Sequence, residues 1–133
     1  MPDAVSDTHS LIWYLEDDSR LSPAAERYFE ACENDGGHIH VPSICAVEMV
    51  YLAEKGRIPV GIMESFLSEV GKSDTVLRWT GLTLSVVLCL ARVPREIVPD
   101  MPDTIIAATA LDLGLPLLTR DHAIRASGVS TIW

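Results

Sequence analysis

The chain has 133 residues, 48% of them hydrophobic, which suits one compact domain, spanning 1–133, with a full core and no need of disulfide staples. Its formal charge is −9, and its only lysines are Lys55 and Lys72, which argues against a protein whose main work is coating nucleic acid phosphate. Cys32, Cys45 and Cys89 are an odd number in no CxxC or Cys/His zinc spacing, so they read as reduced thiols acting as small buried hydrophobes.

The opening "MPDAVSDTHS" carries Asp3 and Asp7 where an export signal needs basic residues and then an apolar stretch, so a cytoplasmic location is expected. A short strand at Ala4 to Ser6 passes at Asp7 into a helix, "THSLIWYLE", with Leu11, Ile12 and Leu15 at helical spacing. "SPAAERYFEACEN" predicts a second helix with Ser22 as N-cap, Pro23 at the first helical position and the glycines at 36 and 37 as its stop. A strand "HIHV" follows, then two helices in tandem: one from Ser43 to Gly56, the other opened by Pro59 and closed by Gly71. "TVLRWT" reads as a third strand and "LSVVLCLARV" as a helix. The apolar stretch around it, "LTLSVVLCLA", is about half of the roughly 20 residues a membrane span needs. "DTIIAATALDLG" is a helix apolar on nearly every face and therefore buried, with Gly114 just past its end. "LPLLT" and "STIW" are the last strands, separated by the short helical piece "DHAIRAS".

Alternating strands and helices predict an α/β fold: parallel strands, right-handed crossovers and helices on both faces of a central sheet. In such sheets ligands bind beyond the carboxyl ends of the strands, where chain order changes direction. Asp7 follows the first strand and Asp121 the fourth, so both belong to that edge. Asp103 opens the buried helix, where Pro102 is expected to force an extended entry and the amides favour negative charge. Glu48 lies about one and a half turns into the helix that leaves the second strand, among Ile44, Val47, Met49 and Val50. Singly, each acid has an ordinary reading: Asp7 and Asp121 as strand-end caps, Asp103 as an N-cap, Glu48 as a solvated point on a helix. Together, four carboxylates on one edge repel one another unless a cation holds them, and oxygen-only ligation suits Mg²⁺ or Mn²⁺ rather than zinc.

These residues carry a resemblance. "SDTHSLIWYL", "VPSICAVEM", "DMPDTIIAATALDLGLPLLTRD" and "GVSTIW" resemble, in that order, the motifs of PIN domains, and specifically of the VapC-type toxins of bacterial toxin–antitoxin pairs. The resemblance runs from Asp7 to Trp133, with residues 57 to 98 matching only in length and helical character. It implies a three-layer α/β/α sandwich with a mainly parallel sheet, and an acidic metal site made of Asp7, Glu48, Asp103 and Asp121. Asp100 matches an acid found just before the third motif, and Thr8 and Thr119 fit hydroxyl positions beside the ligands. The implied activity is metal-dependent endonucleolytic cleavage of RNA that blocks translation, with Mg²⁺ or Mn²⁺ as cofactor, a cognate antitoxin as partner and a homodimer as the assembly. Two departures stand out: Thr104 where this branch often has Arg, and Ile124 where it often has an aromatic residue.

The chemistry such a site supports is hydrolysis of a phosphodiester by water activated at a divalent ion, with no histidine base required. Asp7 and Asp103 are the best direct ligands. Glu48 and Asp121 bind directly, through water, or through a second ion. His9 and His122 lie within two residues of proposed ligands, and His38 and His40 share one strand face, yet no third N or S donor has zinc spacing, which favours structural roles for all four. Arg120 and Arg125 either hold phosphate or face solvent. Trp13, Trp79 and Trp133 read as core packing ahead of stacking platforms. The alternatives are a catalytically inactive PIN-like binding module, or another acidic-site phosphohydrolase. Receiver-type and haloacid-dehalogenase-like folds are disfavoured, because Asp7 is followed by "TH" rather than x-Asp and no lysine follows a late strand.

Overall fold

The computed structural model describes residues 3–133, and in it strand and helix alternate along the chain. Strand β1 (Ala4–Ser6) is wholly buried and passes into α1 (Thr8–Glu16) at Asp7, whose carboxylate accepts the Ser10 N–H at 2.9 Å and caps the helix. Helix α1 ends at Asp17, which takes the left-handed conformation at φ 52° that aspartate tolerates better than most residues. Helix α2 (Pro23–Asp35) is bracketed as its sequence predicts. The Ser22 hydroxyl accepts the Ala25 N–H at 3.1 Å, Pro23 takes the first helical position, and Gly36 turns the chain at φ 74°.

Strand β2 (Ile39–Pro42) leads without a loop into α3 (Ser43–Glu54), and α4 (Val60–Val70) follows between Pro59 and Gly71. Then come β3 (Leu77–Thr80), α5 (Leu84–Cys89) tightening into a 3₁₀ turn at Leu90–Arg92, α6 (Met101–Leu113), β4 (Leu117–Leu118), α7 (His122–Arg125) and β5 (Thr131–Ile132). Helix α6 starts two residues earlier than its apolar pattern suggests. Pro102 lies inside its first turn rather than forcing an extended entry, because first-turn N–H groups have no partner within the helix and a proline there loses nothing. Asp103 is therefore the third residue of α6 and not its cap. Asp100 holds the cap position and makes no side-chain cap bond.

All five strands are parallel, in the order β3-β2-β1-β4-β5. From β1 the chain steps outward through β2 to β3, then returns across the sheet to β4 beside β1. Right-handed crossovers put the helices of these two excursions on opposite faces, giving the three layers of an α/β/α sandwich. The order reverses between β1 and β4, where the Asp7 N–H donates to the Leu118 carbonyl at 3.1 Å and the Ser10 hydroxyl donates to the same oxygen at 3.2 Å. The core runs on both sides of this seam through Val5, Leu11, Phe29, Phe66, Ile106 and Leu117, none more than 1% exposed. Each such side chain contributes roughly 1.5–3 kcal/mol through burial. Helix α6 is buried along the continuous run from Thr104 to Ala110, as a helix apolar on nearly every face must be.

Two packing expectations are corrected. Trp79 is 52% exposed on β3, an edge strand of the sheet, although its ring still meets Phe66. Cys89 is half-buried near the end of α5, whereas Cys32 and Cys45 are fully buried. Among the described residues no helix is long and apolar enough to cross a membrane.

The Ser22 hydroxyl bonds within its own helix start, to Ala25, so Ser22→Ala should cost about 1 kcal/mol of stability in a urea melt. It should leave any activity at the seam unchanged.

Candidate active site

Residues from four helices, α1, α3, α6 and α7, and from the loops before them meet at the carboxyl edge of β1 and β4 around one open cavity of about 630 Å³. Its wall includes all four acids that the sequence singles out, Asp7, Glu48, Asp103 and Asp121, together with Asp100. Asp7 sits deepest, 8% exposed. Burial pushes its carboxyl upward, against hydrogen bonds from Thr119 and Ser10 that pull it down. Glu48 is not a solvated point on α3. It is half-buried, and Thr8 at the start of α1 donates its hydroxyl to Glu48 Oε1 at 2.5 Å, tying two elements across the cavity.

Asp121 does cap a helix, accepting the Ile124 N–H on Oδ1 at 2.9 Å, as Asp7 does for Ser10. Capping and ligation are compatible, since an ionised carboxylate has two oxygens and about four lone-pair sites. Thr119, fully buried at the end of β4, accepts the Asp121 N–H on its hydroxyl at 3.0 Å. Both hydroxyls that the family resemblance marks thus hold the acids in place. Asp103 is the group most disturbed: burial first, then the charges of Asp121, Asp100, Glu48 and Asp7, push it up to about 7. Beneath the cavity, Cys45 directs its thiol to the Ser6 carbonyl at 3.7 Å, and burial pushes that thiol far above its ordinary range. It stays a protonated core residue.

The donor set fits a hard divalent cation. It is oxygen-only and strongly anionic, and among the described residues the side-chain nitrogens on its wall belong to exposed His9, His122 and Arg120 and to the indole of Trp13, which cannot ligate a cation. Although the acids feel one another electrostatically, no three His, Cys, Asp or Glu side chains among the described residues close on a metal as they stand. Mg²⁺ does not ask for such a cage, because it keeps several waters and takes one or two carboxylates plus substrate phosphate.

The remaining histidines lie elsewhere. His38 and His40 flank Asp3 at the opposite edge of the sheet, with His40 Nε2 3.0 Å and His38 Nδ1 3.8 Å from Asp3 Oδ2. That pairing accounts for them without zinc. His9 and His122 are exposed on the cavity wall and so are not core residues. The two departures from the family pattern prove to be packing positions: Ile124 is fully buried, and Thr104 is 3% exposed, its hydroxyl donating to the carbonyls of Val98 and Asp100. Sequence reasoning missed the setting of Arg120, whose guanidinium carbon lies 4.6 Å from the Trp13 ring centre. No spacing rule joins residues so far apart in the chain.

Comparison with known proteins finds relatives of the same family and fold. A family model described as the PIN domain matches residues 4–128. Ribonuclease VapC22 of Mycobacterium tuberculosis is 30% identical over 127 residues, covering 95% of this chain and 92% of that protein. Among solved structures, VapBC2 of Rickettsia felis, bound to a DNA fragment from its promoter, superposes with a TM-score of 0.72 at 12% identity, covering 97% of this chain and 96% of that one. A toxin-antitoxin complex from Klebsiella pneumoniae gives 0.67 at 21%, covering 98% and 96%. At these identities the two structures speak for the fold alone.

Because the folded chain holds the Asp103 proton up to about 7 while the unfolded chain releases it near 3.8, metal-free stability falls as pH rises through that window and levels off above it. Thermal melts in EDTA should show this fall for the wild type and a shallower one for Asp103→Asn. Equal slopes in the two proteins would show that neither burial nor the neighbouring charges hold the Asp103 proton in the folded chain.

Proposed function

The chain belongs to the PIN domain family, among its VapC-type ribonucleases, and from that premise we propose an endoribonuclease toxin that cleaves cellular RNA, blocks translation and is silenced by a cognate antitoxin. We take residues 1–133 as one nuclease domain acting in the cytoplasm. The observation that carries the reading is the convergence of Asp7, Glu48, Asp103 and Asp121 on one cavity at the reversal of strand order. An acid pushed up to about 7 by burial and then by four neighbouring carboxylates is typical of a site that works on charge, which favours the enzyme over an inactive binding module.

Asp7 and Asp103 would hold the Mg²⁺ or Mn²⁺ directly, with Glu48 and Asp121 completing the site. When bound, the ion lowers the pKa of a water and neutralises charge on the phosphorus oxygens. The chain's own residues prepare that step. Thr8 fixes Glu48, while Ser10 and Thr119 fix Asp7. Asp103, held protonated up to about 7 by burial and then by the other acids, would give up its proton once positive charge joined the cavity. The open shape of the cavity admits a splayed single-stranded backbone more readily than an A-form duplex.

The exposed apolar residues support two assemblies. Val47, Val50 and Tyr51 on α3 lie beside the cavity acid Glu48 and offer the antitoxin's C-terminal segment an apolar track, while an Arg or Lys from that segment enters among Asp7, Glu48 and Asp103. Leu84, Val87 and Leu88 on α5 form a separate apolar face that supports a homodimer.

Purified protein should cleave mixed cellular RNA with Mg²⁺ or Mn²⁺ and stop in excess EDTA. Asp7→Asn and Asp103→Asn should each lower cleavage by at least about a hundredfold, the scale of losing one preorganised charge contact. Full activity in EDTA would replace this reading with a metal-free nuclease. Because cation and antitoxin side chain compete for the same carboxylates, raising Mg²⁺ should weaken inhibition by the co-encoded antitoxin. Mn²⁺ titration of the complex checks this, and an acidic pocket still open to metal would disprove the insertion.

A further inference from the structure

We propose that Arg120, stacked on the indole of Trp13, grips a backbone phosphate of the RNA beside the acidic cavity and positions the strand for cleavage; this rests on the nuclease reading above. The indole of Trp13 carries two guanidiniums, with Arg20 Cζ at 5.3 Å and Arg120 Cζ at 4.6 Å from the ring centre. Their situations differ. Arg20 is already committed, its Nη2 bonded to Asp18 Oδ2 at 2.8 Å and its Nε to Asp18 Oδ1 at 3.1 Å, and it is not part of the cavity wall. Arg120 lines the cavity and is exposed, yet among the described residues it makes no ion pair, although five carboxylates share that wall.

A guanidinium held by an aromatic face and left unpaired beside acids keeps its five N–H donors for something else. A phosphodiester fits that need. The carboxylates repel RNA, a divalent ion offsets this only at the reacting phosphorus, and among the described residues Arg120 is the sole permanent cation on the wall. Stacking has already ordered the side chain, so little rotamer freedom is lost when phosphate binds. Trp13 does not itself serve as a base platform. It is 3% exposed, Arg120 lies over its ring, and Trp133 packs against it at 5.8 Å.

The test uses the cleavage-deficient Asp103→Asn chain, so that labelled single-stranded oligoribonucleotides of several sequences stay intact in Mg²⁺. Adding Arg120→Ala should weaken binding roughly tenfold for every sequence and lower the salt slope of log K by about 1. Arg120→Lys should recover part of the loss, and Arg20→Ala, which removes the same charge from the same ring, should change neither quantity. In the active chain Arg120→Ala should raise KM and leave kcat nearly unchanged. Unchanged binding by Arg120→Ala, an equal loss with Arg20→Ala, or a loss confined to particular sequences would overturn the proposal, the last because it would mark a base contact. If the wild type fails to cut RNA while Arg120→Ala still weakens binding throughout, the nuclease reading falls and the phosphate grip stands. If cutting proceeds and binding ignores Arg120, the reverse holds.

Discussion

Like-charge repulsion is the constraint around which this molecule is arranged. Five carboxylates share the wall of one cavity, and Asp103 retains its proton up to about 7 through burial first and then through the charge of the other four. Left to themselves such groups would swing into water. Here each of the proposed ligands is restrained by something built into the fold: Asp7 and Asp121 by the first turns of the helices they cap, Glu48 by the Thr8 hydroxyl, and Asp103 by the buried helix that carries it. The energy stored by that restraint is what a divalent cation, or a basic side chain from a partner, would release.

The restraint depends on the sheet. Parallel strands whose order reverses leave a crevice that no crossover covers, and β1 and β4 flank it. The Leu118 carbonyl closes the seam by accepting both the Asp7 N–H and the Ser10 hydroxyl, so the deepest acid and the strand leading to Asp121 are fixed to one atom. Thr104 and Ile124, which differ from the usual family residues, lie under this arrangement and not in it. They change how the floor is packed and leave the wall of acids as it is.

Much of this was legible in the chain because local chemistry punctuates it. Ser22, Pro23 and Gly36 bound α2 as their backbone preferences demand, and the continuous apolar run of α6 announces a buried helix. The convergence of Asp7, Glu48, Asp103 and Asp121 was legible for a different reason: in a parallel sheet, strand ends share an edge whatever the loops do. What stayed hidden depends on neighbours distant in sequence. Trp79 is exposed on the edge strand β3, the partner of His38 and His40 is Asp3 from before β1, and the pairing of Arg120 with Trp13 brings the end of β4 to α1. The early start of α6 was missed because a proline is read as a breaker unless the helix is known to begin just before it.

The contact between Trp13 and Trp133 gives the protein an optical signature. Two indoles with centres 5.8 Å apart and planes tilted by 55° couple their ultraviolet transitions, producing a paired band in the circular dichroism spectrum. The third indole, on Trp79, is half in water and should emit at longer wavelength than buried Trp13. Circular dichroism therefore follows the packing beside the cavity through the coupled pair, and red-edge emission follows the far edge of the sheet, so loosening at either end of the sandwich can be watched separately without a label.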